Sequence, residues 1–213
     1  MDSYYQSRYI FDSSRNIVWK EIVNYLNKFI TNKSSVVDLG AGYCNFINNF
    51  KASKKYAVDI SPELPKYAAK DVEMINAPAW NLGLIKNESI DVVHASNLLE
   101  HFTDQEIIKT LNEIRRVLKN DGVLILIQPN YRYSAKKYFD DHTHKKIFDD
   151  VSLKETLLNY NFKIIHEMPK FLPFSMNSRP SFLPILPFMV RMYIGSPFKP
   201  FAGQMLIIAK KNE

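Results

Sequence analysis

The sequence predicts an α/β fold, in which an open and mostly parallel sheet carries helices on both faces. Short runs of β-branched and apolar residues alternate along the chain with segments whose apolar residues recur at helical spacing. The run VLILIQP at 123–129 is continuously apolar, as in a parallel strand that is covered on both faces. No internal repeat or low-complexity linker divides the 213 residues, of which 46% are hydrophobic. A single domain over 1–213 is therefore expected.

The predicted elements follow one another in a regular order. Helical spacing of apolar residues predicts a first helix at 16–30, and SSVVDLG at 34–40 is typical of a buried strand that ends in glycine. Thr103 and Glu106 form a capping box at the start of a long helix, which KNDG at 119–122 ends. The other predicted elements are a helix at 43–50, strands at 54–61, 71–76 and 89–96, the long helix at 104–118, a strand at 123–129, a helix at 152–160, and strands at 162–168 and 203–211.

One apolar segment, 169–201, interrupts the alternation between the last two strands. It is rich in Pro, Phe and Met, and it is far longer than an ordinary connection. Arg191 and several prolines break its apolar run, so it is too interrupted for a membrane-spanning helix. We expect a lid that completes the core, with a substrate-binding or membrane-touching flap as the alternative. The expected divisions of the single domain are an N-terminal cap and helix (1–33), a core (34–168), an insertion or lid (169–202) and a last strand (203–211).

Composition restricts the compartment and the partners. A single cysteine, Cys44, excludes an internal disulfide framework, and the reducing cytoplasm is the expected location. The start of the chain is polar and mixed in charge, so no secretory leader is expected. The net charge of +6 favours phosphorylated or otherwise anionic partners. The lysines are scattered in short runs that are typical of solvated faces, and no nucleic-acid partner is expected.

The segment VVDLGAGYCNF at 36–46 carries the strongest functional signal. A strand runs into Gly40-Ala41-Gly42 and then a helix, so the backbone can turn sharply and approach a ligand. Asn45 stands where a dinucleotide fingerprint would have its third glycine. Asp38 lies just before the loop, and Asp59, at the end of the second strand, is placed to accept both hydroxyls of a ribose.

Three segments in order, VVDLGAGYCNF, AVDIS and IDVVHASNLLEHF, resemble the class I S-adenosylmethionine-dependent methyltransferases. The resemblance extends from about Ser34 to the final strand. It implies a Rossmann-like seven-stranded sheet with an antiparallel last strand, S-adenosylmethionine as cofactor and S-adenosylhomocysteine as product. The residues that it implies for the cofactor site are Asp38, Gly40, Ala41, Gly42, Tyr43, Asp59, Ile60, Ala79, Trp80 and Ser96.

The chain departs from that family after the third strand. The family often carries an aspartate there that binds the adenine amino group, but Pro78 falls near this position. Backbone groups around Ala79 and contact with Trp80 are therefore expected to hold the adenine, with core packing as the alternative role of Trp80. Ser96 and Asn97, after the fourth strand, are expected to line the sulfonium and the mouth of the acceptor site.

Methyl transfer from a sulfonium is an in-line displacement, and a hydroxyl acceptor benefits from a general base. Imidazole suits that role because its pKa is close to neutral. The segment YFDDHTHKK at 138–146 follows the fifth strand by a loop and supplies His142 and His144; these lie on one side only if the segment is extended. The candidate bases are His142, His144 and His101, and the candidate acceptor-binding residues are Asn97, Tyr131, Arg132, Tyr133 and Arg179.

Two other interpretations of the DDHTH motif stay open. Two imidazoles and a carboxylate suit zinc or iron, but the family comparison supplies no further carboxylate, and we expect no metal. The motif is also compatible with a polar loop that binds nothing. His101, at the turn after the fourth strand, has a structural role as its alternative.

The segments GAGYCNFIN, QPNYRYSAKKYFDDH and KFLPFSMNSRP resemble a methyltransferase subgroup that is often associated with bacterial surface-polysaccharide and glycolipid biosynthesis. The expected reaction is O-methylation of a sugar, nucleotide-sugar or lipid-linked glycan, in the cytoplasm or at the inner face of the membrane, with peripheral membrane contact through 169–201. One alternative is N-methylation of a small phosphorylated amine. Another is a non-catalytic cofactor-binding or membrane-associated partner in a biosynthetic complex. No DPPY- or NPPY-type stretch stands at 95–102, which argues against methylation of nucleic-acid bases.

Overall fold

The computed structural model describes residues 14–31, 33–174 and 185–212, which contain one seven-stranded sheet. The strands are β1 (Ser35–Leu39), β2 (Lys54–Asp59), β3 (Val72–Asn76), β4 (Ile90–Ser96), β5 (Leu118–Pro129), β6 (Phe162–Pro173) and β7 (Ala202–Lys211). Their order across the sheet is β3-β2-β1-β4-β5-β7-β6. β7 is antiparallel to β5 and β6, whereas the pairs from β3 through to β5 are parallel. The predicted Rossmann-like sheet with an antiparallel last strand is confirmed.

Helices cover both faces of this sheet. They are α1 (Ser14–Leu26), α2 (Asn45–Asn49), α3 (Asp104–Val117), α4 (Tyr131–Tyr138), α5 (Asp150–Asn159) and α6 (Pro187–Gly195), with short 3-10 turns at Asn27–Phe29, Leu64–Tyr67 and Leu99–His101. One buried cluster joins β-strand residues to α3 and α5, and a second joins them to α1, α2 and α6. Alternate residues of β5 enter opposite clusters, Leu124 and Leu126 the first, Ile125 and Ile127 the second. Both faces of the sheet are therefore core, as the continuous apolar strands predicted.

The start of α3 agrees with its predicted capping box. The Thr103 side chain accepts from the Glu106 backbone N–H, and the Glu106 carboxylate accepts from the Thr103 backbone N–H at 2.8 Å. The helix ends at Val117, just before the predicted stop signal at 119–122. The capping box thus sets the start of this helix, whereas residues 119–122, predicted as a stop signal, form the first part of β5.

Helix α4 was not predicted, because its eight residues contain too few apolar positions to show helical spacing. Asn130 caps its start, and the Asn130 side chain accepts from the Arg132 N–H at 3.2 Å. The prediction that only a loop separates the fifth strand from His142 is therefore wrong. The added helix carries the chain from the end of β5 across the edge of the sheet.

The segment between the last two strands contains more regular structure than predicted. β6 continues to Pro173, five residues beyond its predicted end, and Pro187 starts α6. Arg191 in α6 binds the buried carboxylate of Glu21 in α1, with N–O distances of 3.1 and 3.2 Å. Arg191 thereby connects α6 to α1. In the described ranges, no helix is long and apolar enough to cross a membrane.

Candidate active site

A cavity of about 500 Å³ opens at the carboxyl ends of β1, β2 and β4. Because β2 lies on one side of β1 and β4 on the other, this edge is the point where the strand order reverses, and ligands of open α/β sheets bind there. The lining residues are Gly40, Gly42, Val58, Asp59, Ile60, Ala77, Pro78, Ala79, Trp80, Asn97, Leu98, His101, Phe102, His142, Thr143 and Lys145. The cavity thus combines the glycine loop, the end of β2 and three later segments.

Asp59 fixes the glycine loop at one end of the cavity. One carboxylate oxygen accepts from the Gly42 N–H at 3.0 Å, and the other accepts from the Ser61 N–H at 2.9 Å. Gly40 and Gly42 both have left-handed backbone angles, with φ of 64° and 50°. A Cβ at Gly40 would lie 2.8 Å from the Leu98 side chain, so the close approach requires glycine. Gly40, Gly42 and Asp59 therefore line the same part of the cavity, as expected for residues that contact one ligand.

Asp38 lies behind the loop rather than on the cavity wall. Its carboxylate is buried, lies 2.7 Å from His94 Nδ1 and accepts from the Ile47 N–H at the start of α2. Burial raises the pKa of the Asp38 carboxyl, and the neighbouring His94 opposes that rise. The His94 ring stacks on Phe46 with centroids 3.7 Å apart. Asp38 thus joins β1, β4 and α2, which together position the loop.

The predicted adenine end of the cavity is formed by Ala77, Pro78, Ala79 and Trp80. The Ala77 N–H donates to the Asp59 backbone oxygen at 3.2 Å, which connects this segment to the ribose-binding candidate. Trp80 is half-buried and packs edge-on against Phe102, with ring centroids 5.1 Å apart. The indole therefore both lines the cavity and contacts the core, so the two proposed roles of Trp80 are compatible.

Another part of the cavity, its expected acceptor end, is lined by His101, His142, Thr143 and Lys145. His101 Nδ1 lies 2.8 Å from Thr143 Oγ1. Burial, together with the neighbouring His144, lowers the pKa of His101 to about 4, so this imidazole is neutral near pH 7. The Lys145 ammonium lies 3.7 Å from the Glu106 carboxylate and is half exposed. Imidazole, hydroxyl and ammonium groups thus lie together at this end.

The two histidines of the DDHTH motif point to different surroundings. His142 lines the cavity, whereas the His144 ring packs against Tyr138 and His101, with centroids 4.7 and 4.9 Å away. The segment is turned rather than extended, because the His144 N–H donates to the Asp141 carbonyl. The condition for both side chains to lie on one side is therefore not met.

Several predicted site residues lie near the cavity but do not line it. Tyr131 packs against Tyr138, the Arg132 guanidinium is 3.2 Å from Asp150, and Lys170 lies 4.5 Å above the Tyr133 ring. Among the residues predicted for the cofactor, the Tyr43 ring contacts Tyr67. The Ala41 N–H donates to the Val58 carbonyl at 3.3 Å. The Ser96 hydroxyl accepts from the Asn97 amide at 3.3 Å. Arg179 lies outside the described residues. Of these residues, the ones that the structure describes do not line the cavity.

Sequence reasoning missed several side chains that the fold brings to or beside the site. Leu98, Phe102, Thr143 and Lys145 line the cavity. Glu100 is 1% exposed, and burial raises its pKa to about 8. Thr143 could have been recognised as a site residue because it lies between two candidate histidines. No local sequence pattern identifies a glutamate such as Glu100 as buried.

Gly42→Ala is expected to weaken S-adenosylmethionine binding while leaving the fold intact. A Cβ at Gly42 meets no atom of the described residues within 4 Å, so the added methyl would occupy space beside the cavity. The left-handed backbone costs about 1–2 kcal/mol for a non-glycine residue. Titration calorimetry should show an affinity loss of at least about tenfold, or about 1.4 kcal/mol. Gly195→Ala, where an added Cβ also meets no described residue, is the matched control. Equal affinities in both variants would contradict the assignment.

Comparison with protein families places the chain in a known group. Residues 11–167 match the model of a family described as a methyltransferase domain. An uncharacterized protein of Methanocaldococcus jannaschii is 32% identical over 210 residues, which cover 92% of this chain and 87% of that protein.

Solved structures show the same fold. A SAM-dependent methyltransferase from Archaeoglobus fulgidus matches with a TM-score of 0.66 at 18% identity, over 91% of this chain and 94% of that chain. A protein of Pyrococcus horikoshii matches with a TM-score of 0.69 at 17% identity over 100% of both chains. A Thermotoga maritima protein, described as a SAM-dependent methyltransferase and possible histamine N-methyltransferase, matches at 0.65 and 20% identity, over 93% and 91%. The chain belongs to the methyltransferase domain family and has the fold of the class I S-adenosylmethionine-dependent enzymes.

Proposed function

We propose that this methyltransferase transfers a methyl group from S-adenosylmethionine to a hydroxyl of a sugar, nucleotide-sugar or lipid-linked glycan. The proposal rests on the polar residues at the expected acceptor end of the cavity. There His101, His142, Thr143 and Lys145 line the same cavity as the glycine loop. A polar acceptor would thus meet an imidazole base and an ammonium group beside the cofactor.

The residues of the other end fit the cofactor. The Asp59 carboxylate, already bound to two backbone N–H groups, keeps lone pairs for the ribose hydroxyls. The backbone from Gly40 to Gly42 would contact the amino-acid end. Ala77 to Trp80 would contact the adenine, with Trp80 as its apolar surface.

The bound cofactor supplies an electrophilic methyl group on a sulfonium. His142 would accept the proton of the acceptor hydroxyl as the oxygen–methyl bond forms and the sulfur–methyl bond breaks, which leaves S-adenosylhomocysteine. Leu98, Phe102 and Trp80 line the cavity with apolar surface and would exclude water from the transfer. The main contribution expected from the protein is orientation of the two reactants.

Charge and exposed apolar surface support an anionic or lipid-linked acceptor. Lys145 lines the cavity, and the chain has a net charge of +6. Just before β7, Phe198 and Phe201 are 77% and 84% exposed. The first residues of β7 pair with the carboxyl end of β5, at the cofactor edge of the sheet. An apolar tail or a membrane surface could therefore contact this face while the glycan enters the cavity.

An amine acceptor is the second candidate. The Thermotoga maritima protein with the same fold is described as a possible histamine N-methyltransferase. The similarity between that protein and this chain, at 20% identity, is a similarity of fold. The Lys145 ammonium at the cavity disfavours a cationic amine, so we favour a hydroxyl acceptor.

His142→Ala is expected to lower kcat by about 100- to 10,000-fold while cofactor affinity stays within about twofold, because the imidazole acts on the acceptor proton. The assay supplies S-adenosylmethionine with a labelled methyl group and offers nucleotide-sugars, lipid-linked glycans and small phosphorylated amines. Mass spectrometry then locates the label. His166→Ala is the control, since that imidazole lies on β6 against Phe29.

Three results would contradict the proposal. A label found on nitrogen would support the amine alternative, and cofactor binding without turnover on any acceptor class would support a non-catalytic role. Full turnover by His142→Ala on a hydroxyl acceptor would remove His142 as the base.

A further inference from the structure

A buried carboxylate and two imidazoles lie together beside the acceptor end of the cavity. We call Glu100, His101 and His144 the Glu-His-His cluster; their candidate ligand atoms all lie within 4.8 Å of one another. Glu100 is 1% exposed, and within the described ranges neither of its carboxylate oxygens has a hydrogen-bond partner. Because buried polar groups in folded proteins are nearly always paired, these two oxygens point to a ligand that satisfies them.

Hydrogen bonds around His101 favour one tautomer of its ring. The Thr143 hydroxyl donates its proton to Asp141 Oδ1 at 2.6 Å. The same hydroxyl oxygen lies 2.8 Å from His101 Nδ1, so it accepts from Nδ1–H. These bonds favour the tautomer of His101 that carries its proton on Nδ1, in which Nε2 is the basic nitrogen. A histidine oriented through its second nitrogen in this way is typical of metal ligands.

We propose that the Glu-His-His cluster binds one divalent transition-metal ion of the zinc type. Two imidazole nitrogens and one carboxylate oxygen suit zinc, whereas magnesium and calcium prefer oxygen ligands throughout. Three protein ligands leave a coordination position open, as in catalytic zinc sites. Zinc bonds of about 2.0–2.2 Å place tetrahedral ligand atoms about 3.4 Å apart, so the side chains would close by about 1 Å on binding.

The cluster is assembled by two distant segments of the chain. The Lys145 and Lys146 backbone N–H groups both donate to the Glu100 carbonyl oxygen, at 2.7 and 3.0 Å. These bonds hold the segment that carries His144 against the turn that carries Glu100 and His101. Glu100 is thus the further carboxylate that the DDHTH motif lacked when it was considered alone.

The position of the cluster suggests what the ion would do. His101 also lines the cavity, so an open coordination position would be close to the acceptor. An ion that coordinates the acceptor hydroxyl would lower the pKa of that hydroxyl and ease transfer of its proton to His142. This role rests on the proposed function, whereas metal binding itself does not.

Metal binding can be tested without any activity assay. Chelator-treated protein is titrated with zinc in competition with a chromophoric chelator, and with cobalt while its visible absorption is recorded. We expect one equivalent per chain and the absorption of a four- or five-coordinate cobalt site. Loss of an outer-shell partner costs about 10–100-fold in metal affinity, so Thr143→Val should lose that much. Glu100→Gln and His144→Ala, which each remove a ligand, should lose more.

The matched controls keep the result interpretable. His142→Ala removes the neighbouring imidazole of the same motif and should keep the metal affinity. Glu100→Gln is isosteric with the protonated acid, so its thermal unfolding should confirm a folded chain. Failure of the wild type to bind zinc stoichiometrically, or equal affinity in Glu100→Gln and wild type, would overturn the proposal.

Calorimetry with S-adenosylhomocysteine separates this inference from the proposed function. Cofactor binding with no zinc binding would remove the metal site and leave the methyltransferase proposal intact. Zinc binding with no cofactor binding would support the metal site and contradict the methyltransferase proposal.

Discussion

Replacing Asp59 with alanine is expected to abolish measurable S-adenosylmethionine binding. The carboxylate accepts from the backbone N–H groups of Gly42 and Ser61, and it is the group placed for the ribose hydroxyls. Hydrogen bonds to a charged group contribute about 1.5–3 kcal/mol each. Losing two ribose contacts, and with them the anchor of the loop, should therefore weaken binding by more than about 100-fold. Calorimetric titration of wild type and variant with S-adenosylhomocysteine measures the effect.

Asp121→Ala is the matched control for that titration. Asp121 is exposed in the first part of β5, at the end of the strand away from the cavity. The control should bind like the wild type, and circular dichroism should show that both variants are folded. Wild-type affinity in Asp59→Ala would exclude Asp59 from the cofactor site.

Asp38→Ala is expected to destabilise the chain strongly. Asp38 and His94 are both buried, and their side chains lie 2.7 Å apart between adjacent strands. Removing the carboxylate leaves the buried His94 Nδ1 without its hydrogen-bond partner, which costs about 1–3 kcal/mol, and more where the group is charged. The loss of the hydrogen bond to the Ile47 N–H would also loosen α2 behind the glycine loop. Urea unfolding measures the free energy of unfolding directly.

Asp104→Ala is the comparison for Asp38→Ala, because the Asp104 ion pair has the same distance between its paired atoms but is exposed. The Asp104 carboxylate is 2.7 Å from the Lys146 ammonium, and both side chains are exposed. Exposed ion pairs contribute about 0–1 kcal/mol. A cost for Asp38→Ala as small as that for Asp104→Ala would show that the buried pair does not hold β1 and β4 together.

The strands of the fold could be predicted because burial leaves a direct mark on the sequence. The run at 123–129 is covered on both faces, so it lacks the alternation of a half-exposed strand. The glycine loop was also predictable, because left-handed backbone at Gly40 and Gly42 restricts the residue type. Asp59 was found by its spacing from that loop.

The parts that were missed depend on tertiary contacts. Helix α4 has few apolar positions and is held by its Asn130 cap rather than by an amphipathic face. His94 lies in an apolar strand, and only the register of β1 with β4 brings it opposite Asp38. The pairing of Glu100 with His144 depends on hydrogen bonds between segments more than 40 residues apart. No local pattern encodes such contacts.

The separate positions of His142 and His144 illustrate the same limit. Two residues apart, they would share a side in an extended segment. The turn at 141–144 sends His142 to the cavity and His144 to Tyr138. Composition identified the motif, but only the fold distinguishes a candidate base from a candidate metal ligand.

The central claim is that the cavity at the ends of β1, β2 and β4 is a cofactor site for S-adenosylmethionine. Titration calorimetry of the wild-type chain with S-adenosylhomocysteine tests it most directly. We expect one molecule bound per chain, and protection of the glycine loop from hydrogen exchange in the complex. The absence of any binding heat at millimolar ligand, together with unchanged exchange at Gly40 to Gly42, would contradict the account.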